Sequence, residues 1–321
     1  MCMIRARIKS ALIACFAVLI SVCVLCSCGE SDTSTASSSG NSYKNHEDGV
    51  VRETNTEFLM TEAPGDMVES GDNVAIDYSN ANGGYIMVQY LGSVDKVKVQ
   101  ITGPDATTYT YTIMNNEYQA FPLTAGNGHY TITANEHIED SRYALICTLD
   151  IDVAFDNEFL PFLVPNQYSN YTADSKPVQY GIELSNESSN DLDYVDHVYN
   201  YVISTISYDT EKAENIGHDY IPDIDDTFET KKGICFDYAS VMTAMLRSQN
   251  IPTKLEVGYS GDAYHAWISV YIDEIGWVDN IIEFDGSSWS LMDPTLAANN
   301  NRNSVKSYVG DGSHYTVKYE Y

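Results

Sequence analysis

Positive charge is scarce in this chain. Its 321 residues hold 17 Lys and Arg against 46 Asp and Glu, a formal charge of −29. Affinity for a phosphate backbone comes largely from Lys and Arg, so the chain suits neither nucleic acid nor electrostatic docking on anionic lipid. Solubility of an exported protein is the plain reading of the charge; a preference for cationic substrates such as Lys-bearing peptides is the second. Cysteine is also scarce where it could staple a fold. Of seven, Cys2, Cys15, Cys23 and Cys26 fall in the first 27 residues and Cys28 follows them. Only Cys147 and Cys235 remain, so there is no disulfide framework and the fold must rely on its core. Cys147 sits in an apolar strand-like run and reads as a small buried hydrophobe. There is no Cys-x-x-Cys and no Cys/His cluster at zinc spacing. Asp223, Asp225 and Asp226 lack the spacing of an EF-hand loop. No metal or cofactor is expected.

The beginning of the chain has its own character. Arg5, Arg7 and Lys9 precede an uncharged, almost wholly apolar run from Ser10 to Leu25, the pattern of a secretory signal. Leu25-Cys26-Ser27-Cys28 resembles a bacterial lipobox. The resemblance implies cleavage after residue 27, a diacylglycerol on Cys28 and an extracytoplasmic protein held on the cell membrane by its N-terminal lipid. Two or more acyl chains give stable anchoring where one gives only marginal binding. Residues 28–66, rich in Ser, Thr, Asn and Gly, have too little apolar content to offset their ordering entropy and read as a disordered tether.

The length remaining favours two domains. Residues 67–165 alternate in short runs such as Val74-Ile76-Tyr78, Val97-Val99-Ile101 and Leu145-Cys147-Leu149. Turn signals such as Asn82-Gly83-Gly84 and Gly103-Pro104-Asp105 separate them. This predicts an all-β, immunoglobulin-like sandwich, in which Leu123 to Ala134 is a loop feeding an outer strand. Residues 166–189 read as a polar connector. From 190 to 321 the period changes. Leu192, Val195, Val198, Tyr199, Val202 and Ile206 recur at helical spacing, with Asn190 placed to cap them. A polar, acidic loop follows. A second helix is expected over Phe236 to Gln249, then alternating strands from Leu255 onward: an α+β arrangement.

The chemistry-bearing residues lie in this last region. Cys235 stands at a helix start, where unpaired N–H groups and the dipole favour thiolate; thiol pKa values of about 3.5–7.5 occur in such settings against about 8.5 for a free cysteine. His265 alternates with the apolar row Ala266, Ile268 and Val270, on the less apolar face of its strand. Asp293 shares parity with Trp289 and Leu291 in a later strand. From there a carboxylate can accept the second imidazole N–H and fix the tautomer. Asp237 reads as a first-turn carboxylate favoured by the dipole.

Gly233-Ile234-Cys235-Phe236-Asp237-Tyr238-Ala239, with Tyr208-Asp209, Ile251-Pro252, Val257-Gly258-Tyr259, His265-Ala266-Trp267 and Asp293-Pro294-Thr295, resembles the transglutaminase-like superfamily and its papain-like Cys-His-Asp core. The resemblance covers about residues 190–321. It implies Cys235 as nucleophile, His265 as general base and acid, Asp293 as orienting carboxylate and the Cys235 N–H as one oxyanion donor. Trp267 and Tyr259 would wall the substrate cleft or pack the sheet. Phe236 stands where the animal calcium-dependent enzymes carry Trp, so calcium dependence does not carry over. The implied activity is acyl transfer through a Cys thioester on a peptide or protein amide, with cell-wall peptide among the substrates within reach. Amine and water remain open as acceptors. The competing reading is a non-enzymatic binding or adhesion lipoprotein on the same fold.

Overall fold

Alternation decides the first half of the chain. In β4 (Val97–Thr102), Val97, Val99 and Ile101 are buried while Lys98, Gln100 and Thr102 are half-exposed, because successive side chains point to opposite faces. The computed structural model describes residues 52–113, 116–217, 219–260, 263–273, 275–279, 282–284, 289–291 and 315–321. Around β4 lie β1 (Val68–Gly71), β2 (Val74–Asp77), β3 (Tyr85–Tyr90), β5 (Thr108–Ile113), β6 (Gln119–Pro122), β7 (Gly128–Glu139) and β8 (Arg142–Val153). They form two antiparallel four-stranded sheets, ordered β1-β2-β3-β6 and β5-β4-β7-β8. Asn73 takes a left-handed φ of 57° in the turn joining β1 to β2, a conformation Asn tolerates well. The stretch expected to be a loop before an outer strand instead opens into β7, an inner strand between β4 and β8. Strand β7 pairs with a neighbour on each edge, and Tyr130, Ile132 and Ala134 on its inward face are all buried.

The expected connector at 166–189 is also corrected. It contains α1 (Lys176–Asn186), with Pro177 in the first turn, where its missing N–H is no loss. Gly181 lets α1 approach its neighbours: a Cβ there would lie 2.8 Å from the Tyr194 hydroxyl, which donates to Met245 O at 2.9 Å. Part of the expected tether is ordered too. Arg52 reaches Asp191 Oδ1 at 2.6 Å and Ser185 Oγ at 2.9 Å. Asn55 and Gln249 exchange bonds of 2.9 and 2.8 Å, and Phe58 packs on Tyr171. Residues 52–66 are therefore a strap held by specific polar contacts, which composition alone does not reveal.

Helix α2 (Asp191–Thr205) starts at Asn190, whose Oδ1 accepts from Asp193 N at 3.0 Å, as its sequence suggests. The acidic stretch after it is not all loop. It holds β9 (Ser207–Tyr208), α3 (Thr210–Asn215) and α4 (Ile224–Thr230), the two helices capped by Asp209 and Asp223. Then β10 (Lys232–Gly233) pairs with β9 and leads into α5 (Cys235–Arg247). Helix α5 is buried on nearly every side. Helices α1, α2 and α4 lie against it, as do β11 (Thr253–Ser260) and β12 (Ala263–Ile272). These strands join β13 (Gly276–Val278) and β16 (Tyr315–Glu320) in the order β13-β12-β11-β16. Further along, β14 (Ile282–Phe284) pairs with β15 (Trp289–Leu291).

The two halves share a core. Val97, Tyr109 and Tyr111 belong to the same buried cluster as Val198, Met242 and Val257. An aromatic run crosses from one half to the other through Tyr111, Tyr321 and Tyr168 to Phe236, with centroid spacings of 5.9, 4.5 and 5.3 Å. Arg247 is fully buried and donates to carbonyls of three segments: Val164 at 2.7 Å, Thr253 at 3.0 and 2.6 Å, and Tyr321 at 2.6 Å.

Candidate active site

The nucleophile candidate owes its place to a tight turn. Gly233 ends β10, and a Cβ on it would lie 2.7 Å from Asp237 Cβ and 3.1 Å from Asp237 Oδ2. Without one, the chain turns at once into α5 and sets Cys235 in the first turn. Asp237 is the hub of that turn. It is fully buried and accepts from Ile234 N at 2.8 Å, from Lys212 Nζ at 2.7 Å and from the Tyr220 hydroxyl. Lys212 also lies 4.6 Å over the Tyr220 ring. The dipole accounts for an acid here, but not for its burial beneath Lys212 of α3 and Tyr220 of the loop after it. Nothing in the spacing of Lys212, Tyr220 and Asp237 announces the cluster.

Cys235 is half-buried. Its sulfur lies against the backbone N–H groups of Ala266 and Phe236 and its own N–H. Burial pushes the thiol up to about 11; those N–H groups pull it down and the Asp237 carboxylate adds to the rise. The expectation of a lowered thiol is thus reversed for the resting site. Removing a thiolate from water costs more than the helix start returns.

The Ala266 contact places the sulfur beside the His265 strand. His265 is 8% exposed and pairs with Gly258 across β11 and β12. Trp267 and Ser269 follow on the same face. Trp267 is fully buried, so of the two roles considered for it, cleft wall or sheet packing, it takes the second. Tyr259 is 41% exposed, with the Tyr264 ring 5.4 Å away. Opposite Trp267 stands Glu256, which the sequence did not single out. It is buried, accepts from Ser269 Oγ at 2.6 Å, and burial raises its carboxyl to about 7. An acid inside an alternating strand is the available signal, but its titration depends on what covers it. Asp293 and Cys28 lie outside the described residues.

A thiol between strand and helix N–H groups, with a histidine on the adjoining strand residue, is suited to attack on a carbonyl. The sequence comparison points the same way. Residues 179–280 match the transglutaminase-like superfamily. This stretch is a transglutaminase-like domain. Cys235 and His265 fall inside the matched stretch of that domain, and Asp293 beyond it. The uncharacterized protein YebA of Bacillus subtilis is 29% identical over 177 residues, covering 47% of this chain and 22% of YebA. The chain therefore spans about a fifth of that relative's length. Among solved structures, a Cytophaga hutchinsonii protein provisionally described as a cysteine protease is 14% identical, with a TM-score of 0.31 over 70% of this chain and 68% of that one. Red sea bream transglutaminase is 13% identical, with a TM-score of 0.26 over 60% and 47%.

Proposed function

We propose that the protein is a surface-anchored thiol acyltransferase acting on peptide or protein amides. The observation that carries this is the Cys235 sulfur at the start of α5 against the N–H of Ala266, next to His265. In the proposed reaction His265 takes the thiol proton and the sulfur attacks the amide carbonyl. The Cys235 N–H stabilises the oxyanion. The carbon–nitrogen bond then breaks, His265 returns the proton to the leaving nitrogen, and a thioester remains. Asp293 orients His265. An amine acceptor gives a cross-link; water gives hydrolysis or deamidation.

Offering a peptide library, with and without a labelled primary amine, to wild type and Cys235→Ala tests this. Amine incorporation, ammonia release or new peptide termini, each lost in the variant, are the expected outcomes. Wild type and variant behaving alike would refute the proposal. The raised thiol favours a second reading, a binding lipoprotein on the same fold; it requires Cys235 to react no faster than a free thiol.

The rest of the architecture enters as proposal. Lipid attachment at Cys28 is supported by Leu25-Cys26-Ser27-Cys28 and the preceding apolar run. Labelled palmitate should enter the wild type and not Cys28→Ala. The immunoglobulin-like reading of the sheet region is supported by strand order. With β2 as the first strand, the first, second and fifth share one sheet and the third, fourth, sixth and seventh the other. That differs from the constant-type arrangement only in the fourth strand.

A further inference from the structure

We infer that a cavity of about 490 Å³, between β6, the segment after Pro165 and the start of α4, binds a peptide carrying a free amine. As a binding site it stands without the acyl-transfer chemistry. Its volume lies within the range of small-ligand sites, about 300–1,000 Å³.

The wall contains two side-chain amides whose orientation is decided by their bonds. Asn166 Oδ1 accepts from Tyr168 N at 3.0 Å and Ser169 N at 3.1 Å. Its Nδ2 is left as a buried donor with no protein partner. Gln167 Nε2 donates to Thr112 O at 2.7 Å and Gln119 Oε1 at 2.9 Å, which leaves its Oε1 a buried acceptor with no protein partner. The two residues are 2% and 6% exposed, and both line the cavity. An unpaired buried polar atom is destabilising, and a ligand that pairs it relieves that cost. A peptide unit carries one carbonyl and one N–H, the complement of this pair.

The far side of the cavity is acidic. Asp223 and Asp225 line it. Each spends one oxygen on a backbone N–H, of Asp226 at 3.0 Å and of Lys176 at 2.7 Å, and a carboxylate has a second oxygen to offer. An amine on the bound peptide is the group this side selects. The lining residue Ile221 follows Tyr220, which donates to Asp237 at the start of α5. Asp219, just before Tyr220, contacts Lys96 at 3.4 Å.

Titration calorimetry on the full chain tests the inference with three probes: Nα-acetyl-lysine methylamide, its norleucine counterpart, and the lysine methyl ester that lacks the second N–H. The lysine amide should bind saturably. Norleucine should bind about fivefold more weakly, the size of one partly exposed ion pair, and the ester about tenfold more weakly, for the acceptor left unpaired. Asp223→Asn with Asp225→Asn should erase the gap between lysine and norleucine. No saturable binding of the lysine amide up to ~10 mM, equal binding of all three probes, or a lysine–norleucine gap that survives the double variant overturns the inference. Binding should persist in Cys235→Ala; its loss there would place the ligand at the thiol and also overturn it. A protein that binds these probes but shows no thiol-dependent turnover counts against the acyl-transfer proposal alone.

Discussion

At Cys235 two forces oppose each other. Helix N–H groups favour thiolate while burial favours thiol, and burial prevails at about 11. Reactivity near neutral pH then depends on His265 taking the proton and forming an ion pair. Iodoacetamide labelling of Cys235 should show a plateau from pH 6 to 8 in wild type. In His265→Ala it should rise with pH as a lone thiol would, and at pH 7 be slower by about tenfold or more. Equal rates in the two proteins would remove the base from the mechanism. Glu256 makes a second residue-scale prediction. Its folded pKa, about 7, lies above the ordinary carboxylate value. Its protonated form is therefore favoured in the native state, and its contribution is complete below the unfolded pKa. That contribution is lost as pH rises through about 7, by on the order of 3 kcal/mol. Denaturant unfolding from pH 4.5 to 8 should show Glu256→Gln losing less stability over this window than wild type.

Among elements, α5 is the one on which the site depends. Its start is held by Asp237 through a backbone N–H, an ammonium and a phenol. Asp237→Ala leaves the Ile234 N–H and the Tyr220 hydroxyl without their acceptor and Lys212 without its partner, and should cost about 1–3 kcal/mol. A denaturation midpoint unchanged from wild type would show that the hub contributes nothing. At the start of α2, Asn190→Ala should cost about 1 kcal/mol by loss of one cap, read from the same experiment. The α2 cap was legible because the cap and the N–H it serves are three residues apart. Helix α1 was not legible: its stretch is polar, Pro and Gly are poor helix formers, and only contact with Tyr194 and Met245 explains Gly181. The short helices α3 and α4 were hidden for a related reason. Their caps, Asp209 and Asp223, look like loop acids until the following residues turn.

For the whole molecule, the two halves behave as one folding unit in packing terms. The shared core, the Tyr111–Tyr321–Tyr168–Phe236 run and the Arg247 clamp all cross between them. Calorimetric unfolding should therefore give a single transition; two separated transitions would show independent domains. Arg247→Met should lower that transition by more than a surface change does, because it removes the buried donor that Val164 O and Thr253 O share and one of the two donors to Tyr321 O. The sequence by itself determined the kinds of group and their local settings: the strand alternation, the capped α2, a thiol at a helix start and a histidine in a strand. Tertiary structure decided what those groups experience. The raised thiol, the Asp237 hub, the acid opposite Trp267 and the amide-lined cavity arise from residues far apart in the chain. Burial and hydrogen-bond partners are properties of packing, and a local pattern does not contain them.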